Sequence, residues 1–244
     1  MRTWEEKVDK PLLQLDNILT GYGTIPVLHG IDLTLAEGDI YALLGPNGGG
    51  KSTLLKVCSR QIEPWKGNVK VAGRSMEGVA PEELAKVGVC TIPEGKGIFP
   101  NLTVSENLVM MTHSGTDLAT IESITYDRFP QLSNKRKQLA GTLSGGEQQM
   151  LSMARALGTN PKILLLDELS MGLAPIIVKE LYEIVAQLAE QGIGVLVVEQ
   201  FARTVLGVAT RAGILINGKI ISEGSPNELE DQLSDAYLGT KGKI

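Results

Sequence analysis

The stretch Ile40-Tyr41-Ala42-Leu43-Leu44-Gly45-Pro46-Asn47-Gly48-Gly49-Gly50-Lys51-Ser52 decides the fold. Ile40 to Leu44 is an apolar run of the length of a buried strand. Lys51 to Ser59 has the composition of a helix start. Between them, Gly45 to Ser52 fits G-x-x-x-x-G-K-[ST] in the strand–loop–helix setting that confirms it. The glycines let backbone N–H groups wrap phosphates, Lys51 reaches the β- and γ-phosphates, and the Ser52 hydroxyl sits on Mg²⁺.

Working outward, the same architecture recurs. Ile163-Leu164-Leu165-Leu166 is a second buried strand, and it ends in two carboxylates, Asp167 and Glu168. Asp167 at a strand end can share the Mg²⁺ of Ser52, and Glu168 is the candidate base or orienter for an attacking water. Gly194 to Val198 and Gly213 to Ile216 read as further strands of a mostly parallel sheet, with helix between the first two runs. Asn217-Gly218 is a hairpin turn leading into Lys219-Ile220-Ile221. Leu12 to Leu35 alternates apolar and polar residues around Gly21-Tyr22-Gly23, which predicts antiparallel strands. Gly67 to Gly73 predicts an edge strand, and Val87 to Ile92 a buried strand ending at Pro93. An aromatic at Tyr22 is placed to stack on an adenine ring.

The middle third is different. Thr103-Val104-Ser105-Glu106 has capping-box spacing and predicts a helix to about Met111. Residues 115–140 are polar, and Lys135-Arg136-Lys137 reads as a solvated helix face. Leu143-Ser144-Gly145-Gly146-Glu147-Gln148-Gln149 then opens a helix with a serine and two glycines, pointing backbone N–H groups at an anion. A chain with its own phosphate loop has a use for a second one if it serves a nucleotide held by another subunit.

Bulk properties exclude several classes. Net charge is −5 from 28 acidic and 23 basic residues, and aromatics make up 4%, which argues against a nucleic-acid partner. Cys58 and Cys90 have no metal-site spacing and read as buried apolar residues in a reducing compartment. His29 and His113 belong to no ligand cluster. No apolar run reaches the roughly 18 residues of a membrane span. Residues 1–10 are too polar for a secretory signal and read as a flexible N-terminal extension.

These elements together, over nearly the whole chain, resemble the nucleotide-binding subunits of ABC transporters. Walker A is Gly45 to Ser52, a Q-loop region is Pro93-Glu94, the signature is Leu143 to Gln149, and Walker B is Ile163 to Glu168. A D-loop lies near Ser170 to Leu173, and a switch region is Val198-Glu199-Gln200. Within the family, the segments 93–104, 140–151 and 172–175 look like the branched-chain amino acid importer ATPase, F-type subunit. The resemblance implies an α/β P-loop NTPase, an ABC ATPase core with a mostly parallel central sheet, an antiparallel β subdomain and a helical signature subdomain. The core would take residues 11–94 and 159–244, and the helical subdomain 95–158. Implied ATP contacts are Tyr22, Gly45, Pro46, Asn47, Gly48, Gly49, Gly50, Lys51, Ser52 and Thr53. Implied Mg²⁺ ligands are Ser52, Asp167 and Glu94, and the implied catalytic groups are Glu168, Lys51 and Gln200. Leu143, Ser144, Gly145, Gly146 and Glu147 would act on the ATP of a second ATPase subunit. Two membrane permease subunits, and through them an extracytoplasmic solute-binding protein, complete the implied assembly at the cytoplasmic face of the membrane.

Three positions depart from the wider family pattern. Glu94 replaces a glutamine and Gln200 a histidine, and both changes look typical of the branched-chain importer group. Leu169 stands where proline follows the glutamate, and losing proline's fixed φ is expected to loosen the turn holding Glu168. Other readings fit less well. An importer for urea or short amides, or a lipid or other exporter, shares most motifs. DNA- or ribosome-directed relatives carry a second ATPase domain or a long coiled-coil insertion, and this chain has neither. A P-loop GTPase lacks support, because Asn134-Lys135-Arg136-Lys137 has no aspartate at the end of N-K-x-D. A non-catalytic sensor would not need the Asp167-Glu168 pair.

Overall fold

Strand β3, Ile40–Leu44, is buried at every position. Its alternation divides the interior in two. Ile40, Ala42 and Leu44 pack into one apolar cluster, and Tyr41 and Leu43 into another. Both faces of the strand are covered, which is why it reads as a continuous apolar run. Strands β7 (Ile163–Asp167) and β8 (Gly194–Glu199) alternate in the same way, with Leu164, Leu166, Val195 and Val197 on one side and Ile163, Leu165, Leu196 and Val198 on the other. The computed structural model describes residues 11–95, 97–200 and 202–230. The expected N-terminal extension lies outside the described residues.

The central sheet has six strands in the order β10-β9-β3-β8-β7-β6, where β6 is Val89–Ile92, β9 Arg211–Ile216 and β10 Lys219–Gly224. All neighbours are parallel except β9 and β10. These two are joined at Asn217 (φ 47) and Gly218 (φ 73), the paired positive φ angles of a tight hairpin turn. A second sheet is antiparallel, in the order β2-β1-β4-β5, with β1 Leu13–Tyr22, β2 Ile25–Leu35, β4 Lys66–Val71 and β5 Arg74–Ser75.

Helix α1 (Lys51–Cys58) lies between the two sheets, contributing Leu54, Leu55, Val57 and Cys58 to the second cluster. The first cluster is filled from α3 (Val104–Val109), α4 (Leu118–Arg128), α5 (Pro130–Ser133), α6 (Gly145–Leu157) and α7 (Pro175–Glu190). α3 to α6 pack mutually. Two short helices, α2 (Pro81–Lys86) and α8 (Ala202–Leu206), and two 3-10 turns, Met110–Ser114 and Ala140–Thr142, complete the described elements.

Three local expectations need correction. Gly67 to Gly73 does not form a free edge, because the chain reverses at Ala72 (φ 48) and Gly73 (φ 77) and lays β5 against Lys70 and Val71. The strand expected from Val87 starts at Val89, because the Val87 and Gly88 N–H groups close α2 on Leu84 and Ala85. Cys58 is buried, and burial pushes its thiol up to about 12, but Cys90 is only partly covered.

Candidate nucleotide site

The phosphate loop leaves the end of β3 and is braced from behind by the last hairpin of the sheet. A Cβ on Gly45 would lie 2.1 Å from the Leu215 carbonyl oxygen, so only glycine lets the loop pass this close to β9. The Gly218 N–H donates to the Gly49 carbonyl at 2.9 Å. Gly50, at φ 107, is the N-cap of α1 and offers no side chain to its N–H groups. The first turn of α1 is therefore left to an anion. Lys51, itself buried, curls its ammonium onto the Gly45 and Pro46 carbonyls at 3.0 and 3.2 Å. Asn47 and Gly48 are exposed at the loop's tip. Tyr22 is exposed, with its hydroxyl 3.4 Å from both Thr53 Oγ1 and Lys56 Nζ. Its ring thus lies against the first turns of α1.

Because β7, β8 and β3 are neighbours, their C-terminal ends converge. Ser52 Oγ donates to Asp167 Oδ1 at 3.2 Å, and Lys51 Nζ lies 3.8 Å from Glu168 Oε1. Burial pushes the Asp167 carboxyl up, and the Glu168 and Glu94 carboxylates push the same way against the Ser52 hydrogen bond and Lys51. Glu94, exposed just beyond β6, is therefore part of the same electrostatic neighbourhood. A hydroxyl and a carboxylate set side by side are hard oxygen donors suited to Mg²⁺. Among the described residues no three His, Cys, Asp or Glu side chains form a metal cage.

Glu168 sits at φ 50, a left-handed conformation uncommon outside glycine. Two contacts stand where proline's fixed φ would otherwise hold this turn. Leu169 is buried in the first cluster, and the Glu168 N–H donates to the Val198 carbonyl at 3.0 Å. Apolar burial and a cross-strand bond take over from a fixed φ. Gln200 is partly buried one residue beyond β8.

Sequence reasoning assigned no role to Glu199. Its side chain is 1% exposed and accepts bonds from Ser170 N (2.9 Å), Ser170 Oγ (2.8 Å) and Tyr182 Oη (2.6 Å). Burial pushes its carboxyl up, opposed by those donors and reinforced by the Glu168 charge. The one available signal was an acid ending the apolar run of β8.

Ser144, the N-cap of α6, is exposed, while Leu143 before it is buried. A full capping box closes the helix end: the Glu147 N–H donates to Ser144 Oγ at 3.4 Å, and the Ser144 N–H to Glu147 Oε2 at 2.9 Å. Gly145 and Gly146 form the first turn. Burial alone would raise Glu147, but the Lys135 ammonium at 2.6 Å and the Ser144 N–H hold it below the usual range. The run Lys135-Arg136-Lys137 is thus not on a helix, although Arg136 and Lys137 are exposed as expected. It lies in a turn, where Lys135 pairs with Glu147 and the Arg136 guanidinium stacks 4.0 Å over the Tyr126 ring. Among the described residues no hydrogen bond or ion pair joins residues 143–147 to residues 45–53.

Comparison with known proteins agrees with this geometry. Residues 28–170 match the family described as ABC transporter. The chain is 39% identical to the high-affinity branched-chain amino acid transport ATP-binding protein BraG of Pseudomonas aeruginosa, over 93% of this chain and 100% of the relative. It is 32% identical to the lipopolysaccharide export system ATP-binding protein LptB of Haemophilus influenzae, over 96% of this chain and 99% of the relative. The solved ADP conformation of MJ1267, an ATP-binding cassette of an ABC transporter, superposes with a TM-score of 0.83 at 28% identity, over 94% and 99% of the two chains. With its phosphate loop, strand-end carboxylates and side-chain-capped α6 in one α/β frame, the chain belongs to the ABC transporter ATP-binding family, whose members hydrolyse ATP to power transport.

Proposed function

We propose that this ATPase drives uptake of branched-chain or other hydrophobic amino acids, working from the cytoplasmic face of the membrane. The observation that carries the solute is its 39% identity to BraG over the relative's full length, against 32% to LptB. Among the described residues no helix is long and apolar enough to cross a membrane. In this reading, membrane attachment falls to permease subunits.

At the site, the phosphate-loop N–H groups and Lys51 would bind the β- and γ-phosphates of ATP, and Tyr22 would cover the base. Ser52 and Asp167, with Glu94 close by, would hold Mg²⁺, which supplies charge neutralisation at the phosphates. Glu168, fixed in its left-handed turn, would orient the water, and Gln200 would hydrogen-bond the γ-phosphate. Little covalent chemistry is required of such a site, so positioning and charge carry the rate. Ser144 and the first N–H groups of α6 would complete the site of a second ATPase subunit, and its α6 would complete this one.

A docking face for the permease is supported by the exposed apolar side chains of Phe99, Val109, Met110 and Leu139. Phe99 is held firmly. The buried Asn107 side chain bonds both its N–H (2.8 Å) and its carbonyl (3.0 Å), and the Arg155 guanidinium lies 4.6 Å over its ring. This segment begins at Glu94, so movement near the γ-phosphate and movement at the docking face share one piece of chain.

Two experiments test the reading. Glu168→Gln is expected to slow hydrolysis by about a hundredfold or more while sparing ATP-driven dimerisation. An unchanged turnover would remove Glu168 from its role. For the solute, vesicles holding the chain with its co-purified membrane subunits should take up labelled leucine in an ATP-dependent way. Excess unlabelled leucine should compete and urea should not. Competition by urea, or co-purification with a lipid-extracting complex, would overturn the amino-acid assignment.

A further inference from the structure

We propose that Glu199 is a positioning residue that locks the loop following Glu168 to the strand end carrying Gln200. The inference rests on the roles given above to those two residues. A buried carboxylate is costly, and the preceding positions of β8, Val195 to Val198, are filled by apolar residues at no such cost. A strand end that merely needed covering would be served by another of these. What the carboxylate adds is direction, because its two oxygens take three donors from two other elements.

Oε1 accepts from the Ser170 N–H and from the Tyr182 hydroxyl, and Oε2 accepts from the Ser170 hydroxyl. Ser170 lies two residues beyond Glu168. One residue earlier on β8, the Val198 carbonyl accepts the Glu168 N–H at 3.0 Å. Strand β8 therefore grips the loop on both sides of the buried Leu169, at Glu168 by its main chain and at Ser170 by the Glu199 side chain. A non-glycine residue at φ 50 persists only where its surroundings over-determine it. This double grip provides that constraint. Tyr182, fully buried on α7, anchors the carboxylate from below. Because Gln200 is the next residue in the chain, the water-orienting group and the γ-phosphate contact are held to a single anchor.

The arrangement makes a specific demand on substitutions. In Glu199→Gln, the amide oxygen can take the place of Oε1 and keep both of its donors. The amide NH₂ can then donate to the Ser170 hydroxyl, which accepts as readily as it donates. Glu199→Ala leaves the Ser170 N–H and the Tyr182 hydroxyl without acceptors. In the full chain at saturating MgATP, Glu199→Ala is expected to lower kcat about tenfold or more, with ATP affinity within about threefold of the parent. Glu199→Gln should stay within about threefold of the parent in both. Ser170→Ala, which removes only the hydroxyl bond of the grip, should lower kcat by about twofold to fivefold without weakening ATP binding. Parental kcat in Glu199→Ala or in Ser170→Ala would overturn the proposal. So would a Glu199→Gln variant as slow as Glu199→Ala, or a loss that appears in ATP affinity instead of kcat. If Glu199→Ala fails to fold, Glu199→Gln and Ser170→Ala decide the question alone. The Glu168→Gln test is independent of these outcomes, so the site reading and this inference can fail separately.

Discussion

Helices α1 and α6 both begin at glycines and serine, yet their N-termini are finished in opposite ways. α1 is capped by Gly50 in a left-handed conformation, with no side chain on its N–H groups and with Leu215 and Gly218 pressed behind the loop. α6 is capped by Ser144 and Glu147 acting reciprocally, and the capping Ser144 is exposed. The first end is incomplete without an anion, whereas the second is satisfied as it stands. In the second, Ser144 Oγ accepts from inside the helix, and its hydroxyl also helps to hold the Glu147 carboxylate. Glu147 would repel a phosphate, but Lys135 is paired with it. An end built this way is satisfied before any ligand arrives, and in the proposed function it would meet one that another subunit holds.

Substitutions at the two ends should separate these roles. Lys51→Ala is expected to have the largest effect, abolishing tight ATP binding and lowering turnover by about a hundredfold or more. Nucleotide titration and phosphate release would check it, and retained tight binding would mean the α1 end is not the primary site. Ser144→Arg should spare ATP binding while cutting turnover by about tenfold or more, because its bulk blocks the face offered to a second subunit. Parental turnover, or weakened binding by the monomer, would break the division of labour. The smallest effect is expected at Glu147→Ala, where loss of the reciprocal cap should cost about 1 kcal/mol of stability. Glu147 titrates below its ordinary range in the folded chain. Its contribution is therefore present above the unfolded value of about 4.3 and lost as pH falls through the lower folded value. The gap between parent and variant in denaturant melts should close in acid, and a gap that persists there would assign the effect to packing instead.

The difference between the ends also explains what could be read from residues alone. The α1 site is local, since strand, glycines, Lys51 and Ser52 follow one another and the spacing states the chemistry. Asp167 and Glu168 are legible for the same reason. Residues that work through distant partners were not. Glu199 looks like an ordinary strand-end acid until Ser170 and Tyr182 are brought to it. Lys135 looks solvated until Glu147 folds back beside it. Leu169 looked like a defect because a missing proline is visible in the sequence, and the core that receives its side chain is not. The short turn at Ala72-Gly73, which shields β4, was hidden by the alanine at a position that favours glycine.

The hairpin at Asn217-Gly218 has a consequence for synthesis. β3 pairs with β8 and β9, and the Gly45 and Gly49 backbone is backed by Leu215 and Gly218, about 170 residues further along the chain. Translation delivers the phosphate loop early and its backing late. A nascent chain stalled before residue 218 carries every residue of the loop but lacks the surface that shapes it. Until residues 215–218 are in place, the loop has the sequence of a phosphate site without the wall that gives it its shape.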